Sequence, residues 1–211
     1  NIVLTGTLSL TATGNAGANR IDGAQNSAAN VLNGGAGQDY VYGGTGDDIL
    51  SGGSGNGDYL SGEAGNDTYL FASGDGNTTI YNYDTGAERH DVLKLADGIA
   101  VSDVVATRNG TNLLLTLQST GEVITVSSFF SGSNYELNAV EFADGTVWDP
   151  ATLKTLVMQT TEGTDNITGY AADEVINGLG GNDTLRGGDG DDTVSGDAGD
   201  DQVYGDAGAD T

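Results

Sequence analysis

Residues 34–70 read GGAGQDYVY (34–42), GGTGDDILS (43–51), GGSGNGDYLS (52–61) and GEAGNDTYL (62–70). A second block reads GLGGNDTLR (178–186), GGDGDDTVS (187–195), GDAGDDQVY (196–204) and GDAGADT (205–211). Aligned, these segments share the nine-residue pattern G-G-x-G-x-D-x-U-x, in which U is a larger apolar residue. A fixed short period indicates a repeat architecture in which each repeat stacks on its neighbours.

Position six of the repeat is always aspartate. A single Asp in a turn commonly caps its own backbone. Eight in one register, with glycine at positions one and four, instead favour a shared role. The position-six residues are Asp39, Asp48, Asp58 (after one inserted residue), Asp67, Asp183, Asp192, Asp201 and Asp210.

The spacing of these aspartates predicts a metal site between layers. Six glycine-rich residues form a turn, since glycine enters positive-φ conformations without steric cost, and x-U-x forms a minimal strand. Two nonapeptides return the chain to its starting side, so alternate position-six carboxylates lie one layer apart. Two such charges about 4 Å apart repel by about 4 kcal/mol at an effective dielectric constant near 20. A hard divalent cation with oxygen ligands, Ca²⁺ above all, removes that repulsion.

Composition excludes several classes of function. The net charge is −25, from 31 acidic and six basic residues, which has the wrong sign for a nucleic-acid-binding surface. No apolar run is long enough to span a membrane, so we expect no membrane span. The chain has no Cys and one His, His90 in a charged loop, so we expect no catalytic residues and no cofactor other than Ca²⁺.

The repeat resembles the calcium-binding nonapeptide of RTX ("repeats in toxin") proteins over residues 14–80 and 160–211. The resemblance implies parallel β-rolls in which each ion lies between loop n and loop n+2. One loop supplies the carbonyls of positions two and four and its Asp; the other supplies the carbonyls of positions one and three and its Asp. About six or seven ions are expected.

Carried over residue by residue, the resemblance implies five ligand sets. They are Gly35, Gly37 and Asp39 with Gly52, Ser54 and Asp58; Gly44, Gly46 and Asp48 with Gly62, Ala64 and Asp67; Leu179, Gly181 and Asp183 with Gly196, Ala198 and Asp201; Gly188, Gly190 and Asp192 with Gly205, Ala207 and Asp210; and Gly163 and Asp165 with Gly178, Gly180 and Asp183.

Four degenerate repeats flank the regular ones. They carry Asn19, Asn30, Thr78 and Glu174 at position six, and sites at the two asparagines are expected to be neutral and weak, or empty. Asp75, Asp84 and Asp91 follow the first block. They could bind a peripheral ion, or they could be ordinary surface turns.

Residues 81–160 lack the nine-residue period and alternate apolar with polar residues. Asn109-Gly110 predicts a type I′ hairpin, Thr120-Gly121 and Asp144-Gly145 predict further turns, and Asp149-Pro150 predicts a short helix near 150–159. This stretch resembles a calcium-binding-related segment that often follows RTX repeats. Its aromatic residues predict a packed cap; a ligand pocket is the alternative. They are Phe129, Phe130, Tyr135, Phe142 and Trp148.

We therefore predict an all-β fold: a first roll over residues 1–80 with a degenerate N-terminal part, an antiparallel β cap and spacer over 81–160, and a second roll over 161–211. By resemblance, the chain is expected to be a calcium-binding structural module of a larger polypeptide, exported by a Gram-negative bacterium through type I secretion. It would fold outside the cell to support or space an adhesin or toxin. A surface-layer structural protein, or an adhesin domain that binds carbohydrate or a receptor through the aromatic cap, are the alternatives.

Overall fold

The computed structural model describes all 211 residues and is almost entirely β-structure. The chain forms two compact units, Asn1–Leu153 and Lys154–Thr211. The elements are β1 (Ile2–Gly6), β2 (Thr11–Thr13), β3 (Arg20–Asn26), β4 (Val31–Ala36), β5 (Tyr40–Thr45), β6 (Ile49–Ser54), β7 (Asp58–Ala64), β8 (Thr68–Phe71), β9 (Thr78–Ile80), β10 (Val92–Leu95), β11 (Val104–Asn109), β12 (Asn112–Leu117), β13 (Val123–Val126), β14 (Ala139–Glu141), β15 (Val147–Trp148), α1 (Pro150–Leu156), β16 (Asn166–Thr168), β17 (Val175–Asn177), β18 (Thr184–Asp189), β19 (Thr193–Ser195) and β20 (Gln202–Ala207).

The first unit contains a parallel β-roll made of two sheets. Strands β1, β3, β5, β7 and β9 lie side by side in one sheet, and β2, β4, β6 and β8 lie in the other. Val41 is paired with Leu60, and Leu32 with Leu50, so the chain returns to the same sheet after two repeats. The predicted parallel roll, with one coil for every two nonapeptides, is confirmed.

The residue at position eight of each repeat points into the roll. Val41, Leu50, Leu60 and Tyr69 are fully buried, while the residues beside them on each strand are more exposed. This is the alternation expected of a strand with one face in the core. The interior is thus a column of single apolar side chains, one from each repeat.

The middle of the chain continues both sheets. Strand β13 lies parallel to β9, β10 lies parallel to β8, and β14 lies parallel to β10. The antiparallel pairs predicted here are present as β11–β12–β13 and β14–β15. The parallel pairs that attach them to the first roll were not indicated by the sequence.

The first hairpin of this segment turns one residue later than predicted. Asn109 is paired with Asn112, so the two-residue loop is Gly110-Thr111. Gly110 has φ +59°, and Thr111 does not have a positive φ. A type I′ turn requires positive φ at both central residues. The predicted type I′ turn is therefore wrong, because Asn109 remains in the strand.

The predicted short helix is present as α1. Pro150 occupies its first position, and the Asp149 carboxylate accepts a hydrogen bond from the Thr152 amide at 2.7 Å. This is the expected cap of a helix N-terminus. With seven residues, α1 is far shorter than a bilayer is thick, and no other helical segment could span one.

The predicted aromatic core of the middle segment is confirmed for Phe129, Phe142 and Trp148, which are all buried. The rings of Phe142 and Trp148 meet edge to face with centroids 4.7 Å apart. Strands β10 and β13 of the same segment pair with β8 and β9, so the middle segment covers the strand edges that the roll would leave open.

The second unit is a smaller parallel roll. Strands β16, β18 and β20 form one sheet, and β17 and β19 form the other. Ile167, Ile176 and Leu185 make its core, with Met158 and Val194 packed against them. The predicted second roll is thus present with the same alternation of sheets.

Candidate metal centres

The position-six aspartates are buried in both rolls. Ionised carboxylates are rarely buried without a partner, because removing the charge from water is costly. Six of the eight nevertheless have side chains that are 0–1% exposed: Asp39, Asp48, Asp58, Asp67, Asp183 and Asp192. Asp201 and Asp210, in the last layer of the second roll, are half-buried.

One carboxylate oxygen of each aspartate joins the layers. Asp58 Oδ1 accepts a hydrogen bond from the Asp39 amide at 2.8 Å, and Asp67 Oδ1 accepts one from the Asp48 amide at 2.9 Å. The second roll repeats the contact with Asp201 and Asp210 as acceptors for the Asp183 and Asp192 amides, at 2.9 and 3.0 Å. The structure thereby places the predicted aspartates in pairs, one layer apart.

The second carboxylate oxygen has no hydrogen-bond partner. This holds for Oδ2 of all six buried aspartates: Asp39, Asp48, Asp58, Asp67, Asp183 and Asp192. Buried polar atoms in proteins are nearly always partnered. Six unpartnered carboxylate oxygens at one position of a repeat indicate a ligand common to all of them.

A backbone carbonyl faces the same space as each unpartnered oxygen. A Cβ placed on Gly34, at position one, would lie 2.5 Å from Asp39 Oδ2 and 2.5 Å from the carbonyl oxygen of Gly52. The corresponding distances at Gly178 are 2.5 Å to Asp183 Oδ2 and 2.6 Å to the carbonyl oxygen of Gly196. Position one must therefore be glycine, because any side chain would fill the space between the two oxygens.

The remaining predicted carbonyls also face the neighbouring loop. A Cβ on Gly53 would overlap the carbonyl oxygen of Gly35, and one on Gly55 would overlap that of Gly37, so both carbonyls point at the layer above. The position-three carbonyls accept hydrogen bonds from the position-four amides of the layer below, which leaves each oxygen one lone pair. These bonds are 2.9 Å long for Gly37 to Ser54, Gly46 to Ala64, Gly181 to Ala198 and Gly190 to Ala207.

The donor set fits calcium. Nowhere do three or more His, Asp or Glu side chains converge, so each candidate centre combines two carboxylates with backbone carbonyls. An all-oxygen set with flexible geometry suits Ca²⁺, whereas structural zinc sites require Cys or His ligands. The residues present therefore fit a calcium ion in the space beside each unpartnered oxygen.

Burial makes these carboxylates hard to ionise without a counter-charge. It raises the pKa of Asp48 and of Asp58 to about 6 and that of Asp67 to about 8. Neighbouring negative charges add to the effect, with Asp91 and Asp48 acting on Asp67. A bound divalent cation would offset both causes, since it favours the charged form of its ligands.

The inserted residue before Asp58 does not displace it. Gly57 takes φ +90° and absorbs the extra residue. Asp58 stays fully buried, accepts the amide of the layer below at Oδ1 as its neighbours do, and keeps an unpartnered Oδ2.

Asp165 and Glu174 differ from the regular repeats. Asp165 Oδ2 accepts a hydrogen bond from the Thr161 amide at 2.7 Å, and Glu174 Oε2 accepts one from the Tyr170 amide at 2.9 Å. Both carboxylates thus cap their own loops. The layer contact is retained, because the Asp165 amide donates to Asp183 Oδ1 at 2.9 Å. In the fifth predicted set, Gly180 faces the carboxylate of Glu162. A Cβ placed on Gly180 would lie 2.8 Å from Glu162 Oε2.

Of the three acidic residues after the first block, two bind nearby turn amides and the third lies in the position-six register. Asp75 accepts from the Ala72 amide and Asp84 from the Gly86 amide, both at 2.8 Å, as ordinary turn residues do, and Asp84 Oδ2 also accepts from the Gly65 amide at 3.4 Å. Asp91 instead lies at position six of the next layer, where its Oδ1 accepts from the Asp67 amide at 2.9 Å. The sequence signal for this was the string Asp91-Val92-Leu93, which matches D-x-U.

Two protein-family models match the chain, one in the repeats and one in the middle segment. The model of the RTX calcium-binding nonapeptide repeat matches residues 25–58, 57–80, 157–185 and 177–211. The model of the haemolysin-type calcium binding protein related domain matches residues 112–152. The iron-regulated protein FrpA of Neisseria meningitidis serogroup C is 41% identical over 110 residues, which are 51% of this chain and 10% of that protein. The chain therefore spans only a small part of that relative.

Proposed function

The chain belongs to the family of RTX calcium-binding nonapeptide repeat proteins, and we propose that it is a module of a larger secreted polypeptide whose rolls fold when Ca²⁺ binds. It acts as a calcium-dependent support or spacer for an adhesin or toxin and has no catalytic activity of its own. RTX repeats are typical of secreted proteins. Export through type I secretion is part of the proposal.

The observation that carries the calcium function is the set of six buried, unpartnered Oδ2 atoms. Four pairs combine two position-six aspartates with converging carbonyls: Asp39 with Asp58, Asp48 with Asp67, Asp183 with Asp201, and Asp192 with Asp210. We propose that these four pairs are the principal sites. The larger number of six or seven ions stays a prediction.

Energetics support folding that is conditional on calcium. Each repeat buries only about one apolar side chain. The entropy lost by ordering its nine backbone residues opposes folding. Hydrogen bonds between layers supply part of the difference, and metal binding that occurs only in the folded state supplies more. Extracellular calcium modules bind at roughly 10⁻⁴–10⁻³ M, so low calcium inside a cell would leave the calcium-dependent layers unfolded and the chain easier to export.

The carbohydrate-binding alternative finds little support in the cap. Phe129, Phe142 and Trp148 are packed into its core, so these three rings offer no exposed platform to a sugar, while Phe130 and Tyr135 are half-buried. The calcium-dependent structural role is therefore the function that these residues favour.

Calorimetric calcium titration with circular dichroism tests the proposal, using Asp48→Asn and the matched control Asp47→Asn. Asp47 is adjacent, exposed and outside the register. We expect Asp48→Asn to remove one bound ion and to raise the calcium midpoint of folding about tenfold, equivalent to ~1.4 kcal/mol. Asp47→Asn should change neither. Equal strand content of the wild type in EDTA and in millimolar calcium would contradict the proposal.

A further inference from the structure

A continuous ladder of side chains runs along one edge of the first roll. In each step, Oδ1 of a position-six side chain accepts a hydrogen bond from the backbone amide one layer below. The steps are Leu10 to Asn30 (3.1 Å), Asn30 to Asp48 (2.7 Å), Asp48 to Asp67 (2.9 Å), Asp67 to Asp91 (2.9 Å) and Asp91 to Asn138 (2.8 Å). Oδ1 therefore makes the same kind of hydrogen bond at every step of the ladder.

The second atom of the same side chains is not uniform. Oδ2 is unpartnered in Asp48 and Asp67, in the middle of the ladder. Asp91 Oδ2 instead accepts hydrogen bonds from Arg89 at 2.7 Å and from Asn82 at 3.1 Å. In Asp48 and Asp67 this oxygen is open to a metal ion, whereas in Asp91 it is bound by the positively charged side chain of Arg89.

Arg89 is held firmly in that place. The side chains of Arg89 and Asp91 are 9% and 1% exposed, whereas those of the surface pair Arg20 and Asp22 are 48% and 22% exposed. The guanidinium also donates to the carbonyls of Glu136, at 2.9 Å, and Ser133. It therefore brings a permanent positive charge to one carboxylate and two backbone carbonyls. That is the kind of ligand set a calcium ion would take.

Asparagine amides occupy the corresponding space in the first layers. Asn30 Nδ2 donates to the Ala28 carbonyl at 2.5 Å and to Asp48 Oδ1 at 3.0 Å. On the other edge, Asn19 Nδ2 donates to the carbonyls of Asn15 and Gly17 and to Asp39 Oδ1. Ala28 and Gly17 stand two residues before position six, as Gly46 and Gly37 do in the metal-binding loops.

We propose that side-chain donors replace calcium near the ends of the position-six ladders: the guanidinium of Arg89 between the layers of Asp91 and Asn138, and the amides of Asn19 and Asn30 in the first layers that carry a position-six side chain. The inference rests on the proposed calcium binding and goes beyond it, because it states which layers do not bind calcium. The end layers then fold without metal, and they present preformed edges against which the calcium-dependent layers pair.

Native mass spectrometry of the full chain in calcium tests the first layers. Asn30→Asp supplies a second carboxylate opposite Asp48 and removes the amide that fills the space, so we expect one additional ion per chain. Asn33→Asp, outside position six, is the control and should add none. If the wild type binds calcium and Asn30→Asp binds the same number, the inference is overturned alone. A wild type that binds none overturns the proposed function as well.

Hydrogen exchange of the full chain tests Arg89. In EDTA, we expect amides of β10 and β14 to be protected in the wild type and in the control Arg20→Ala, but not in Arg89→Ala. Calcium should restore protection to Arg89→Ala, because the metal replaces the missing cation. Protection of Arg89→Ala in EDTA, or its absence even in calcium, overturns the role given to Arg89.

Discussion

The two rolls have the same repeat but differ in what covers their layers. In the first roll, Tyr69 and Ile80 of the last coil are fully buried under the strands of the middle segment, β10 and β13. At position eight of the coil that contains β20, Val203 is 43% exposed. The core positions are therefore covered by the middle segment in the first roll and partly exposed at Val203 in the second.

The difference shows how stability is divided between apolar packing and metal. The first unit adds a second core, including Leu115, Ile124 and Phe129, to the column of position-eight residues. The second unit has only a small cluster around Leu185. Because burial of each apolar side chain contributes roughly 1.5–3 kcal/mol, we expect the second unit of this 211-residue chain to depend more on calcium than the first.

Removal of calcium gives the largest expected difference between the rolls. In EDTA, we expect amides of β16 to β20 to exchange at the rates of an unfolded chain, because few buried contacts remain to protect them. Amides of β11, β12 and β13 should remain protected by the cap core. Hydrogen exchange followed by mass spectrometry on the full chain measures both regions in one sample.

The same sample at saturating calcium is the control, in which both regions should be protected. Equal loss of protection in the two regions would show that the middle segment also depends on calcium. Equal retention of protection in the two regions would show that the second roll does not need calcium to stay folded.

The periodic part of the structure could be predicted from the sequence. Position six fixes the turn and position eight fixes the core, so Asp39, Val41 and their equivalents fall where the pattern puts them. Local signals also sufficed for α1, through Asp149 and Pro150, because capping depends on neighbouring residues.

The rest depends on contacts that leave no local signal. Asp91 continues the ladder 24 residues after Asp67, which breaks the nine-residue period, and Arg89 could not be recognised as its partner. Parallel pairing of β9 with β13 joins segments more than 40 residues apart. The β11–β12 turn was misplaced by one residue because Asn109 can occupy either a strand end or a turn.

A proton is expected to replace part of calcium's effect in the first roll. Burial raises the pKa of Asp67 to about 8 and those of Asp48 and Asp58 to about 6, above the ordinary Asp value of 3.8. The folded state then binds these protons more tightly than the unfolded state. In EDTA, the free energy of unfolding should therefore be highest near pH 4 and fall as pH rises through 6 and 8.

Thermal unfolding in EDTA at pH 5 and pH 8 measures this effect, with Asp67→Asn as the control. The wild type should melt at a higher temperature at pH 5, and Asp67→Asn should show a smaller difference, because it has one fewer buried carboxyl to titrate. A higher melting temperature at pH 8 would show that these buried carboxyls do not bind protons more tightly in the folded state than in the unfolded state.

The smallest expected effect concerns position two of the loops, which has positive φ in both rolls. The first roll has glycine there in three loops and Glu63 (φ +71°) in the fourth, whereas the second has Gly188 in one loop and non-glycine residues in three: Leu179 (φ +68°), Asp197 (φ +57°) and Asp206 (φ +70°). A side chain in this conformation costs roughly 1–2 kcal/mol. Glycine relieves that strain but loses more entropy on folding. Leu179→Gly should therefore stabilise the second roll by about 1 kcal/mol, because Leu179 is 43% exposed and little packing is lost.

Chemical denaturation in saturating calcium measures this gain, and Glu63→Gly makes the same change at position two of the first roll. If backbone strain is what distinguishes the loops, both variants should gain stability, and Leu179→Gly should lower the calcium midpoint of the second roll. A gain in Glu63→Gly alone would mean that the Leu179 side chain contributes packing that outweighs its strain. Apolar contacts would then contribute more to the stability of the second roll than its small buried cluster suggests.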